Sequence, residues 1–193
     1  VSLPGGCAIG SRPIDIHLSA LKQMGANIKI KNGYIIASAK KGLKGCTIRF
    51  SKISVGATEN ILIAACFAKG KTQLRNCAIE PEIDDLINFL KKLGCNIKKN
   101  GKRGINVIGV QKLKSTIHKV IFDRIEAGTY IIAAALTKGK LKIKNINPKI
   151  MLTEIRLLRK MGVRIIKKKN YIIASRSKKL RGINVVTRPY PGF

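Results

Sequence analysis

Apolar residues recur at helical spacing in three places along the chain, and an alternating run follows each time. Ile14, Leu18 and Leu21 with His17 among them form the first set, Ile83, Leu86, Ile87 and Leu90 the second, and Ile150, Leu157, Leu158 and Met161 with Glu154 the third. Positions three and four apart share one helix face, so each set predicts an amphipathic helix laid on a core. Pro13, Pro81 and Pro148 stand where a first helical turn accepts proline. Gly25, Gly94 and Gly162 stand where a left-handed residue ends a helix. Alternating segments 27–31, 34–38 and 45–50 predict strands, with Asn32-Gly33 as a hairpin turn between the first two.

A second kind of helix is predicted over 57–68 and 124–137. Both stretches are apolar almost all round, at 61–68 and 130–136, which predicts burial on every side. Lys-Gly-Lys then opens a strand in each copy, at 69–71 and 138–140.

These elements repeat. Tyr34-Ile35-Ile36-Ala37-Ser38 returns as Tyr171-Ile172-Ile173-Ala174-Ser175, and the stretch 61–76 aligns with 130–145. The helix-ending glycines at 25, 94 and 162 keep the same beat, so the chain holds three copies of one unit. Each unit reads helix, strand pair, helix, strand. The expected class is α/β, with buried helices inside and sheets outside, an arrangement that suits threefold stacking of units better than a doubly wound sheet.

Composition permits a sizeable core, since 45% of the 193 residues are hydrophobic. No apolar run approaches a membrane span, and residues 1–30 show no basic segment leading into an unbroken apolar one. The expectation is a soluble, cytoplasmic chain without a membrane partner. Five cysteines, none in a C-x-x-C pair, and two histidines argue against a disulfide framework or a metal site. Cys46, Cys66, Cys77 and Cys95 lie in apolar or strand-like runs and read as small hydrophobes.

A net charge of +30 first suggests nucleic acid. Yet 28 lysines against 11 arginines, and 31 isoleucines against 8 valines, are skews that adenine- and thymine-rich codons produce together. The lysines are spread along the whole chain, 5% of residues are aromatic and Trp is absent, which leaves little for base stacking. Nucleic acid is therefore discounted as a partner.

The candidate chemistry sits in the stretch 3–13. Cys7 lies among Gly5, Gly6 and Gly10, five residues before Arg12 and at the mouth of the first helix. A nearby guanidinium and helix amides favour thiolate over thiol, so Cys7 reads as a nucleophile or proton donor. A glycine-rich surface loop that happens to carry a cysteine is the alternative. Asp15 reads as a first-turn acid and Ser54 as an N-cap. Glu80 and Glu82 read as helix-start acids without chemistry, His17 as packed on a helix face, His118 as packed or solvated in a strand, and Asp123, Arg124 and Glu126 as ion-pair formers.

Five motifs in order carry a resemblance. Leu3-Pro4-Gly5-Gly6-Cys7-Ala8-Ile9-Gly10-Ser11-Arg12-Pro13-Ile14-Asp15-Ile16-His17, Lys52-Ile53-Ser54-Val55-Gly56-Ala57-Thr58-Glu59-Asn60, Glu80-Pro81-Glu82-Ile83, Asp123-Arg124-Ile125-Glu126-Ala127-Gly128-Thr129 and Pro189-Tyr190-Pro191-Gly192-Phe193 resemble the UDP-N-acetylglucosamine 1-carboxyvinyltransferases. These are the enolpyruvyl transferases of peptidoglycan synthesis. The resemblance implies an inside-out α/β barrel of repeated units, present here as parts of two pseudo-threefold domains. Residues 1–121 would be most of the first and 122–193 the beginning of the second.

It also implies an activity: an enolpyruvyl group moves from phosphoenolpyruvate to the 3′-hydroxyl of UDP-N-acetylglucosamine, with release of phosphate through a tetrahedral intermediate and with no cofactor. Cys7 falls on the family's catalytic cysteine, the residue that fosfomycin alkylates. Arg12 falls on an arginine that reaches phosphoenolpyruvate. Arg12-Pro13-Ile14-Asp15-Ile16 and Lys52-Ile53-Ser54-Val55 fall on two segments that hold the uridine nucleotide.

The resemblance places the base for the sugar hydroxyl beyond Phe193 and further substrate contacts before Val1. The chain alone is therefore expected to be an inactive part that needs a complementary part of the same enzyme. Arg188 and Tyr190 stand where the family usually has alanine and histidine. The alternatives are an enzyme like 5-enolpyruvylshikimate 3-phosphate synthase, or a non-catalytic basic binding protein on the same scaffold.

Overall fold

The structure is a computed structural model that describes residues 1–5, 14–176 and 179–192. Contacts divide the chain into two compact units, Val1–His118 and Lys119–Phe193.

The first unit opens with helix α1 (Asp15–Gln23), a hairpin of β1 (Asn27–Lys31) and β2 (Tyr34–Ser38), and β3 (Thr47–Arg49). Helix α2 (Val55–Cys66), β4 (Lys71–Arg75), α3 (Pro81–Lys92), β5 (Asn96–Lys99) and β6 (Gly104–Ile108) complete it. In the β1–β2 turn Asn32 and Gly33 both take positive φ, +49° and +76°, the pair of left-handed residues that a two-residue hairpin needs to match strand twist. Helices α1 and α3 end as their glycines predict. Gly25 and Gly94 have φ of +94° and +104°, and the N–H groups of Gly25 and Ala26 return to the carbonyls of Lys22 and Leu21.

Strand order in the main sheet is β3-β4-β6-β5, with β3 parallel to β4 and the other pairs antiparallel. Period-two alternation turns Ile48, Leu74, Ile97, Ile105 and Val107 to one face, where they join the core residues of α2 and α3. Arg49, Gln73, Arg75 and Asn106 occupy the alternate, outward positions.

The second unit contains α4 (Arg124–Leu136), β7 (Lys140–Lys144), a 3₁₀ turn at Pro148–Met151, α5 (Leu152–Lys160), β8 (Val163–Lys167) and β9 (Tyr171–Arg176). Its antiparallel sheet runs β7-β9-β8. Ala127, Ile131, Met151, Ile155, Val163, Ile165, Ile172 and Ala174 form a separate core. The element order helix, hairpin, helix, strand is thus visible from α1 to β4, again from α3 to β7 with one fewer strand before its second helix, and as helix and hairpin from α5 to β9.

Several expectations need correction. Helix α1 buries Ile16 and Ala20, with Met24 at its end, while Ile14, His17, Leu18 and Leu21 stand half-buried at the rim. The third amphipathic helix starts with a 3₁₀ turn whose Asn147 side chain accepts from Lys149 N–H at 3.1 Å, and the α-helix proper begins at Leu152. The strand expected over 45–50 is confined to Thr47–Arg49, and Gly45 before it lies so close to Lys71 that a Cβ would sit 2.5 Å from its carbonyl oxygen.

The apolar helices are not buried on every side. Ile63 and Phe67 are 50% and 54% exposed, as are Ile125, Tyr130, Ile132 and Leu136 of α4 at 46% to 65%. A single sheet layer covers only one side of a helix, and the sheets are open rather than closed into a barrel among the described residues.

Candidate functional site

Of the residues that the sequence singles out, Cys7, Arg12 and Pro13 lie outside the described residues. Ile14, Asp15, Ile16, Lys52, Ile53, Ser54 and Val55 are described, and they come from two separate segments that the fold gathers at one place. Ile14 and Asp15 begin α1, and Ile16 is buried as its first core residue. Lys52 is exposed on the turn after β3, Ile53 packs on the core, and Ser54 caps α2, whose first residue is Val55.

The two helix starts are joined by side chains. His17 Nδ1 lies 3.1 Å from Asn60 Nδ2, and a Cβ at Gly56 would stand 3.5 Å from the His17 ring. The first turn of α1 therefore lies against the first turns of α2. A cleft of about 200 Å³ runs along α1 and the end of β3, lined by Asp15, Ile16, Ser19, Ala20, Gln23, Ile48, Arg49, Phe50 and Ser51 and not by Lys52, Ile53, Ser54 or Val55.

The start of α2 is set for a negative group. Ser54 Oγ accepts from Ala57 N–H at 3.2 Å, and Thr58 N–H bonds the Ser54 carbonyl, which leaves the first amides of the helix without intrahelical partners. No acidic residue stands in that turn, and Lys52 lies just before it, so helix dipole and lysine act with the same sign. Asp15 in the first turn of α1 supplies an acceptor at the neighbouring terminus.

Thr58 carries a role that its sequence position does not reveal. Its hydroxyl donates to the Ser54 carbonyl at 2.8 Å and accepts from Ala78 N–H at 3.0 Å, fully buried, and so ties the segment after β4 to the start of α2. Behind it stand three acids. Burial, together with the neighbouring charges of Glu82 and Glu80, raises the Glu59 carboxyl above its ordinary range. Glu80 holds the Ile79 N–H at 2.8 Å, a structural duty at the start of α3.

The histidines and interior cysteines play packing parts. His118 lies outside any strand, contrary to expectation, with Nε2 3.1 Å from Asp85 and its ring 5.2 Å from that of Phe89. Cys66, Cys77 and Cys95 are buried free thiols, and burial pushes the Cys77 thiol up to about 12. Asp123 caps α4 by accepting from Ile125 and Glu126 N–H and forms no ion pair among the described residues, while Arg124 pairs with Glu154 at 2.9 Å. Among the described residues no group of three or more His, Cys, Asp or Glu is placed to hold a metal.

Comparison with known proteins places this geometry among relatives. The family model described as EPSP synthase (3-phosphoshikimate 1-carboxyvinyltransferase) matches residues 1–193. A UDP-N-acetylglucosamine 1-carboxyvinyltransferase of Pelagibacter ubique is 61% identical over all of this chain and 46% of its own length. One of Endomicrobium trichonymphae is 53% identical over the same shares. The chain thus spans about half the length of the curated relatives it matches. Among solved structures, the enolpyruvyl transferase NikO from Streptomyces tendae superposes with a TM-score of 0.80 at 24% identity, over 94% of this chain and 46% of that one. An EPSP synthase from Acinetobacter baumannii gives 0.65 at 22% identity, over 89% and 41%.

Proposed function

The chain belongs to the EPSP synthase (3-phosphoshikimate 1-carboxyvinyltransferase) family, and from that premise we propose that it is part of an enolpyruvyl transferase acting on UDP-N-acetylglucosamine. In that reaction the sugar 3′-oxygen bonds to C2 of phosphoenolpyruvate while its C3 methylene gains a proton. Loss of phosphate from C2 and of a proton from C3 then restores the enol ether. The protein must supply a proton donor, cations for phosphate and carboxylate, and a base.

One observation carries the reading. Two segments far apart in sequence, 14–16 and 52–55, meet at adjoining helix starts, where Lys52 and the free amides of α2 suit a diphosphate and Asp15 offers an acceptor. Relatives named for this nucleotide sugar align with the chain from end to end. Cys7 is the proposed catalytic thiol and Arg12 the proposed contact to phosphoenolpyruvate, with Pro13 in the nucleotide segment.

The finer architecture belongs to the same proposal: residues 1–121 as most of one inside-out, pseudo-threefold domain and 122–193 as the start of a second. An apolar groove of about 360 Å³ between α4 and α5, with Ile125, Ile132, Leu136, Leu157 and Leu158 along it, supports a role as part of a longer enzyme. A cytoplasmic place in peptidoglycan synthesis, without a membrane partner, fits these substrates. Among the described residues no helix is long and apolar enough to cross a membrane.

In a chain extended to the length of the relatives, Cys7 should be alkylated by fosfomycin faster with UDP-N-acetylglucosamine present, and Cys7→Ala should abolish labelling while keeping nucleotide binding. Equal labelling with and without the nucleotide sugar would overturn the assignment. The 193 residues alone should release no phosphate from phosphoenolpyruvate. The description of the family model favours one second reading, a 3-phosphoshikimate enzyme. A change in the rate of Cys7 labelling with shikimate 3-phosphate, and none with UDP-N-acetylglucosamine, would select it.

A further inference from the structure

On the outward face of the first unit's sheet, three arginines converge on a cavity of about 380 Å³ that contains no acid. Its walls come from Arg49, Gln73, Arg75, Asn76, Asn100, Arg103 and Asn106, with Leu74 and Gly104 completing the lining. Strand register explains the convergence. Arg49 pairs with Arg75 across the parallel β3–β4 ladder, and Arg75 pairs with Gly104 across β4–β6, so Arg49, Arg75 and Gly104 fall in one row on one face, while Arg103 reaches the cavity from the turn just before β6. Gly104 brings no side chain to the row, and a Cβ there would collide with the Asn100 carbonyl oxygen, so the glycine is what lets the 100–104 turn close against the cavity. The next row places Gln73 beside Asn106.

Like charges directly opposite one another in a ladder oppose pairing, and neighbouring strands lie only about 4.8 Å apart. Among the described residues neither the Arg49 nor the Arg75 side chain forms a hydrogen bond or ion pair that would offset this. The rim is nevertheless fixed. Asn76 Nδ2 donates to the Phe50 carbonyl at 2.9 Å, and Arg103 Nη1 donates to the Cys77 carbonyl at 3.0 Å. Thr47 Oγ1 donates to Gln73 Oε1 at 3.3 Å, which leaves the Gln73 amide nitrogen as a donor.

We propose that this cavity is a binding site for a small phosphate-bearing ligand, separate from the nucleotide segments at the helix starts. Guanidinium forks match phosphate oxygens two at a time, and side-chain amides add neutral donors around them. A volume of about 380 Å³ accommodates a diphosphate with a small attached group. No aromatic residue lines the cavity, so it offers no platform for stacked bases and favours a small anion over single-stranded nucleic acid. A bound phosphate would neutralise the Arg49–Arg75 row.

The test titrates inorganic pyrophosphate into the purified chain at physiological salt, with amide NMR shifts as the readout. Saturable shifts are expected at Asn76, Gly104 and Asn106. Arg49→Gln/Arg75→Gln, both at exposed side chains, should weaken binding by about tenfold or more while the rest of the spectrum stays native. Lys29→Gln/Lys31→Gln removes the same charge from the β1–β2 hairpin and should leave affinity within about twofold. Three results would each overturn the site: equal loss in the lysine control, which marks diffuse attraction to a polycation; loss in Lys52→Ala but not in the arginine variant, which puts the anion at the start of α2; and displacement of pyrophosphate by a random RNA oligonucleotide that binds more tightly. Because the arginine row and Lys52 are varied separately, failure here leaves the enolpyruvyl transferase proposal standing.

Discussion

His17 of α1 and Asn60 of α2 meet at 3.1 Å, and this hydrogen bond fastens together the two helix starts that carry the proposed nucleotide segments. Removing it by Asn60→Ala should cost about 1 kcal/mol, which lowers Tm by about 2–4 °C for a chain of this size. Gly56→Ala places a methyl at an ordinary 3.5 Å from the same ring and should leave Tm unchanged or slightly higher. A Tm for Asn60→Ala equal to the parent would show that apolar packing alone aligns the helices.

Thr58 should be far more sensitive. Thr58→Val keeps the shape but strands the buried Ala78 N–H, at a cost of about 1–3 kcal/mol in denaturant unfolding. Thr58→Ser restores the hydroxyl and should recover most of it. Equal losses in both variants would point to packing of the methyl group instead.

The interior thiols predict a silent background for work on Cys7. Burial raises Cys46, Cys66 and Cys77, the last to about 12, so these thiols stay protonated in the folded chain near neutral pH. Ellman's reagent should modify Cys66, Cys77 and Cys95 only after denaturant is added. A folded thiol held above its ordinary 9.0 retains a proton that the unfolded chain loses, so this contribution to stability is full below pH 9 and is lost as pH rises toward 12. Chemical denaturation at pH 8, 9.5 and 11 reads that slope, and Cys77→Ala should flatten it.

Glu59 predicts a stabilising substitution. Its carboxyl is raised by burial and by Glu82 and Glu80, so its charge costs the folded state stability above that raised value and costs nothing once both states are protonated. Glu59→Gln should raise Tm at pH 7, with the gain disappearing at and below pH 4. A gain that persists at low pH would assign the effect to packing.

Arg124 and Glu154 keep 16% and 18% exposure, so Arg124→Ala leaves a partly desolvated carboxylate behind. About 2 kcal/mol should be lost, toward the low side for buried pairs because both partners retain some water. The double variant Arg124→Ala/Glu154→Leu should recover part of that loss, and purely additive losses would deny the coupling.

Local features were legible without coordinates because neighbouring residues alone decide them. Asn32-Gly33 specifies its turn through two positive φ values, Gly25, Gly94 and Gly162 end their helices, and Ser54 announces its cap. The repeat was legible too, since a unit that must bury one helix face repeats its apolar pattern whenever it recurs. Partners distant in sequence were not. Nothing near Thr58 signals Ala78, and nothing near His118 signals Asp85, because such pairs form only once strands and helices have been placed.

The same division holds for function. The sequence alone singled out the proposed nucleotide segments, 12–16 and 52–55, and the kind of protein that carries them. Only the tertiary structure decided that the two segments share one end of a helix pair, that α2 and α4 leave apolar sides uncovered, and that Arg49, Arg75 and Arg103 face one cavity. The physical reason is register: a side chain's face in a strand follows from its own position, but its neighbours follow from how the strands are paired.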